Sequence, residues 1–154
     1  MNIEIRKMDN SDTIPIPYDL LYLADPSIDM VERYLKEGEC HIAIADKETV
    51  GVYLLARKSF DTLEIVNIAV KESHQSAGIG KLLVEDVVRL SKYKGDKYLE
   101  VGTGNSSISQ LAFYQKCGFR IVGVDVDFFK KNYTEKIVEN GIECLDMIRL
   151  RMIL

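Results

Sequence analysis

The run Leu63-Glu64-Ile65-Val66-Asn67-Ile68-Ala69-Val70 constrains the fold more than any other stretch of the chain. It is apolar on both faces apart from Glu64 and Asn67, and such a strand is stable only when layers cover it on both sides. The period then changes. From Gly78 to Lys92, Ile79, Leu82, Leu83, Val87 and Leu90 form one apolar stripe at helical spacing, while Lys81, Glu85, Arg89 and Lys92 point elsewhere. Gly95 ends that helix, and Tyr98 to Val101 reads as another strand. A strand, a helix and a strand in this order require a parallel crossover.

The flanks add hairpins. Residues 2–7 alternate apolar and polar, as a half-buried strand does. Pro15 and Pro17 bar a continuous helix before Asp19 to Ala24, and Pro26-Ser27 opens a second helical segment closed by Gly38. Cys40 to Ala45 and Val50 to Ala56 are apolar runs separated by Asp46-Lys47-Glu48-Thr49, which predicts a hairpin. Lys58 to Asp61 breaks the chain before the central run. Ile108, Leu111 and Ala112 share a helical face ending at Cys117-Gly118. Phe119 to Val126 and Cys144 to Ile153 read as the last two strands, with a long polar-aromatic connection, Phe128 to Gly141, between them. The expected order is β, α, α, β, β, β, α, β, α, β, β: one domain of 154 residues with a mixed sheet and helices on both faces.

The junction between the central strand and its helix carries chemistry. Gly78 and Gly80 open the helix, whose first turn leaves backbone N–H groups without intrahelical partners. Those groups and the helix dipole favour an anion. A glycine lets a phosphate come close to the backbone, and Lys81 adds positive charge at the rim. Two other phosphate loops fail on inspection. A Walker loop needs Gly-Lys-Ser/Thr preceded by a further glycine, and here Gly80-Lys81-Leu82 follows Gln75. A dinucleotide loop needs a third spaced glycine.

Val70 followed by Gln75-Ser76-Ala77-Gly78-Ile79-Gly80, and then Tyr114-Gln115-Lys116-Cys117-Gly118-Phe119, resembles the GNAT superfamily of N-acetyltransferases. That family's first motif is a buried strand, a short loop and Gln/Arg-x-x-Gly-x-Gly/Ala opening a helix; its second is a helix ending in Tyr-x-Lys-x-Gly-Phe. The element order also matches over nearly the whole chain. The resemblance implies an α/β (α+β) GNAT fold, with a sheet of about seven strands splayed at its central parallel pair. It implies acetyl-CoA as acetyl-donor cosubstrate and no metal. Backbone N–H groups of Gln75, Ser76, Ala77, Gly78, Ile79, Gly80 and Lys81 would take the pyrophosphate. Backbone groups of Ile68, Ala69 and Val70 would line the pantetheine arm, with one N–H polarising the thioester carbonyl. Tyr114 would protonate the departing thiolate, a role suited to a phenol that is neutral at pH 7. For the base, Glu64 is the first candidate, with Glu100 and water as alternatives. Where relatives carry an Asn before the tyrosine, this chain has Ser107, so Asn105 or Ser106 would take over the cofactor contact.

Other classes fit less well. Glu100-Val101-Gly102-Thr103-Gly104-Asn105-Ser106 resembles an S-adenosylmethionine loop but lacks its third glycine, and too few residues follow for that fold; Gly102 and Gly104 instead read as a loosened strand end. A non-catalytic acyl-CoA sensor is the alternative within the same fold. Covalent catalysis through Cys117 has no neighbouring histidine in sequence to support it. Three cysteines without a Cys-x-x-Cys and two separated histidines give no disulfide framework or zinc signature. A net charge of −4 lacks the basic footprint of a nucleic-acid binder, and no apolar run is long enough to span a bilayer. A cytoplasmic protein is expected, and a homodimer is compatible with the pattern. The acceptor, a primary amine of a small molecule or peptide, would lie between residues 14–38 and 127–142, where Asp127, Phe128, Phe129, Tyr133 and Glu135 offer aromatic walls and carboxylates.

Overall fold

The computed structural model describes residues 2–154. Seven strands form one sheet: β1 (Ile3–Lys7), β2 (Glu39–Ala45), β3 (Glu48–Ser59), β4 (Thr62–Val70), β5 (Tyr98–Gly104), β6 (Arg120–Asp125) and β9 (Met147–Ile153). They lie in the order β1-β2-β3-β4-β5-β9-β6. Only β4 and β5 run parallel; every other neighbouring pair is antiparallel. The mixed sheet and its central parallel pair are those expected from the sequence. Helix α3 (Ile79–Tyr93) makes the crossover between β4 and β5.

Each face has its own core. On one, Ile79, Leu83, Val84 and Val87 of α3 pack against Leu63, Ile65, Leu99, Val101 and Leu150 of the sheet, with α4 (Ile108–Lys116) alongside. On the other, α1 (Tyr18–Ala24) and α2 (Ile28–Glu37) bring Leu20, Leu21 and Val31 against Ile42, Val52, Leu54 and Ala69. Each such Val, Leu or Ile side chain, fully buried, contributes roughly 1.5–3 kcal/mol relative to exposure. Ser27 caps α2 by accepting from the Met30 N–H at 3.3 Å.

Three local outcomes differ from the sequence reading. The first hairpin turns on Asp46 and Lys47 alone, both at positive φ, so β3 begins at Glu48. Two successive left-handed residues match the twist of a hairpin, which a four-residue turn does not require. The long connection from Phe128 to Gly141 holds a short helix, α5 (Phe128–Asn132), and a small hairpin of β7 (Val138–Glu139) and β8 (Ile142–Glu143). The last strand consequently starts at Met147 rather than Cys144. Finally, Gly102 and Gly104 are not a loosened end on the β9 side: β5 is laddered to β9 through Gly104. A Cβ at Gly104 would stand 2.5 Å from Cys144 Sγ, so the glycine makes room for that buried thiol.

Candidate active site

Strands β4 and β5 pair only from Thr62↔Tyr98 to Ile65↔Val101. β4 then continues to Val70 and β5 to Gly104 without further pairing to each other. Over Asn67–Val70, β4 keeps its ladder with β3 on one edge and has no strand on the other. The cause is visible in the register. Leu54 faces Asn67 and Leu55 faces Ile65, which leaves Val66 as an extra residue, a β-bulge. The bulge re-aims every side chain beyond it. Leu63 and Ile65 point into the α3 core, yet two residues later Asn67 points to the opposite face, where its Nδ2 donates to Leu21 O at 2.9 Å. Ile68 and Val70 then return to the α3 side and Ala69 to the α1–α2 side. The freed edge of β4 therefore lies in a wedge between two strands held apart.

The wedge leads to the start of α3. A single 3-10 turn, Glu72–His74, follows β4, and Gln75 Nε2 reaches back to Val70 O at 3.1 Å, bracing the loop on the strand end. Ser76 and Gly78 take positive φ, 67° and 81°. At Gly78 this conformation strongly favours glycine. No side chain caps α3 and no acidic residue sits in its first turn, so its free N–H groups point into an exposed, uncompensated loop. The Gln75 N–H is already used by Glu72 O at 3.3 Å, which leaves the later groups, Ser76 to Lys81, for an anion. Gly80 has a different reason to be glycine. A Cβ there would stand 3.3 Å from Phe113 Cζ and 3.9 Å from Val70 Cγ2, so any larger side chain is driven outward over the loop.

Tyr114 comes from α4, the helix beside the wedge. It is buried, wedged between Phe113 (ring centroids 5.5 Å apart) and Phe119 (5.8 Å). Burial pushes its phenol well above the usual tyrosine range, with a smaller push from Cys117. It therefore stays protonated and keeps a proton to give. Cys117 is half-buried, and burial pushes its thiol up too, the opposite of an activated nucleophile.

The two candidate bases face each other across the parallel pair, Glu64↔Glu100, in different surroundings. Burial would raise Glu100, but hydrogen bonds from Lys58 and from Arg151 (Nε–Oε2 2.7 Å) outweigh it and hold the carboxyl below its ordinary range. A carboxylate clamped by two cations is a poor proton acceptor. Glu64 has one partner, Arg149, at 3.2 Å. Burial pushes it up; Arg149 and Lys58 oppose this, Glu100 adds to it, and the net shift is upward. Charge thus separates two carboxylates that share one register position, the pKa raised at Glu64 and lowered at Glu100.

Asn105 has a structural employment. Its Oδ1 accepts from the N–H groups of Leu145 (2.8 Å) and Asp146 (3.0 Å), and its Nδ2 donates to Glu143 O (3.1 Å). Ser106 and Ser107 direct their hydroxyls to Glu139. Asn105 fastens the β8–β9 segment, and the two serines fasten β7, to the end of β5. In the connection, Phe128, Phe129 and Tyr133 form a chain of aromatic contacts, 5.2 and 5.3 Å between centroids. Tyr133 Oη donates to Asp25 Oδ1 at 2.9 Å. That bond ties the connection to the α1–α2 turn on the face where Glu64 lies. Glu135 is exposed and outside this chain of contacts. Arg149, which the sequence reading did not single out, stacks over Phe128 at 5.4 Å.

Comparison with known proteins agrees with this geometry. A family model described as an acetyltransferase (GNAT) domain matches residues 36–121. The uncharacterized N-acetyltransferase YvbK of Bacillus subtilis (strain 168) is 58% identical over 133 residues, 86% of each chain. Among solved structures, a GNAT family acetyltransferase from Elizabethkingia anophelis with acetyl-CoA bound superposes with a TM-score of 0.96 at 51% identity, covering 99% of both chains. A Bacillus subtilis acetyltransferase in complex with CoA gives a TM-score of 0.92 at 52% identity, again over 99% of both chains. The chain thus belongs to the GNAT acetyltransferase family.

Proposed function

We propose that the protein transfers an acetyl group from acetyl-CoA to a primary amine by direct attack in a ternary complex. The observation that carries this is the wedge. A strand with one free edge, an uncapped helix N-terminus at its end and a buried neutral phenol beside it together fit a phosphorylated thioester. The acetyl-CoA and CoA complexes of the two similar structures support the same donor.

In this reading the N–H groups of Ser76 to Lys81 receive the pyrophosphate. The backbone of Ile68, Ala69 and Val70 lines the pantetheine arm, and one of its N–H groups polarises the thioester carbonyl. Glu64 takes a proton from the acceptor's ammonium. The freed nitrogen lone pair forms the C–N bond, the C–S bond breaks, the nitrogen's second proton passes to solvent, and Tyr114 gives its proton to the leaving sulfur and regains one from solvent. Asn105 supports the site by fastening the end of β5. The acceptor enters from the face carrying Glu64, Tyr34 and the Tyr133–Asp25 bridge, where aromatic rings and carboxylates suit a cation.

Turnover tests this. With saturating acetyl-CoA and a panel of primary amines of small molecules and peptides, CoA thiol should be released in step with amine acetylation. Saturable acetyl-CoA binding with no release across the panel would mark a sensor instead.

A further inference from the structure

Arg149 of β9 stands opposite Gly102 of β5 on one side and Gly123 of β6 on the other. Two glycines in its row leave the sheet surface beside it bare. A Cβ on Gly102 would lie 2.6 Å from Met147 Sδ and 3.3 Å from Arg149 Nη1, so a side chain there would displace Met147 and crowd the guanidinium. Across this cleared strip Nη1 donates to Glu64 Oε2 and Nη2 donates to Asp125 Oδ2, each at 3.2 Å. The Phe128 ring lies 5.4 Å from the guanidinium carbon. One cation is thereby shared between a half-buried carboxylate two strands away and a more exposed one at the sheet edge.

We propose that Arg149 is the positioning residue for Glu64: it holds one carboxylate oxygen so that the other faces the acceptor amine, and the presence of Asp125 limits how strongly it holds. The proposal rests on Glu64 acting as the base. Every charged or titratable neighbour of Glu64 bears on it: Arg149 from β9, Lys58 from β3, Glu100 from β5 and the Tyr34 phenol from α2. Lys58 is engaged by Glu100. Arg149 is the cation bonded to Glu64 itself, and it opposes the burial of Glu64 more strongly than Lys58 does.

The sign follows. Glu64 must be ionised to accept a proton, so kcat/KM rises with pH through its ionisation. Arg149→Met removes an opposite charge and moves that acidic limb to higher pH. Asp125→Asn removes the competitor and moves it to lower pH. The test measures kcat/KM against pH for the wild type, Arg149→Met, Arg149→Lys, Asp125→Asn and Glu64→Gln, each checked for folding by circular dichroism. For Arg149→Met, a loss of roughly tenfold on the acidic limb is expected, the low end for losing one opposite charge at this range. Arg149→Lys should recover part of it. Opposite limb shifts in Arg149→Met and Asp125→Asn support the proposal. An unmoved limb in both, while Glu64→Gln still abolishes it, overturns the proposal and leaves the base assignment intact. A limb that survives Glu64→Gln overturns the base assignment itself, and this proposal with it.

Discussion

Gly80→Glu should abolish acetyl-CoA binding in calorimetry while leaving a folded protein. The mutant side chain cannot turn inward, because its Cβ already meets the Phe113 ring at 3.3 Å. It must lie over the exposed loop, where its carboxylate replaces open space at a helix N-terminus that has no acid of its own. At about 4 Å and an effective dielectric near 20, two like charges repel by about 4 kcal/mol. Affinity should therefore fall by at least ~10²-fold, more than sterics alone explain. Gly80→Ala provides the steric control: its methyl asks the Phe113 ring to give by a few tenths of an ångström and adds no charge. Unchanged affinity in a folded Gly80→Glu protein would remove the loop from the donor site.

Tyr114→Phe should separate catalysis from binding. The hydroxyl contributes through its proton, which burial keeps in place. The ring contributes through packing against Phe113 and Phe119, which phenylalanine preserves. The expected outcome is a fall in kcat on the order of 10²-fold, the range for losing a positioned general acid. Acetyl-CoA affinity should stay within about twofold, since no binding contact is assigned to the lost oxygen. The melting temperature should barely move. An undiminished kcat would show that the sulfur leaves without help from Tyr114.

Much of this site was legible in the sequence, because its parts are local. The strand, the Gln75–Gly80 loop and the Tyr114 helix each lie within one short segment whose period or glycine spacing announces it. What was hidden depends on register. The Val66 bulge leaves no trace in Leu63–Val70, since apolar residues on both faces erase the alternation that would reveal a slip. Glu64 and Glu100 look alike until β9 brings Arg149 beside one and Arg151 beside the other. Arg149 itself becomes notable only when Gly102 and Gly123 fall in its row. One miss had a signal. Asn140-Gly141, between Val138-Glu139 and Ile142-Glu143, is the commonest two-residue hairpin turn, and both residues adopt positive φ here. The family's Asn position falls on Ser107, and Asn105, two residues earlier, holds the segment before β9 with its side chain.

In the proposed function the freed edge of β4 and the N-terminus of α3 together seat the donor. Amide hydrogen exchange with and without saturating acetyl-CoA is the decisive measurement, because it reads those backbone groups themselves. Slowed exchange is expected at residues 66–70 and 76–81, with little change in β1, β2 and the α1–α2 face. Saturable binding that leaves both segments unprotected would contradict that seating.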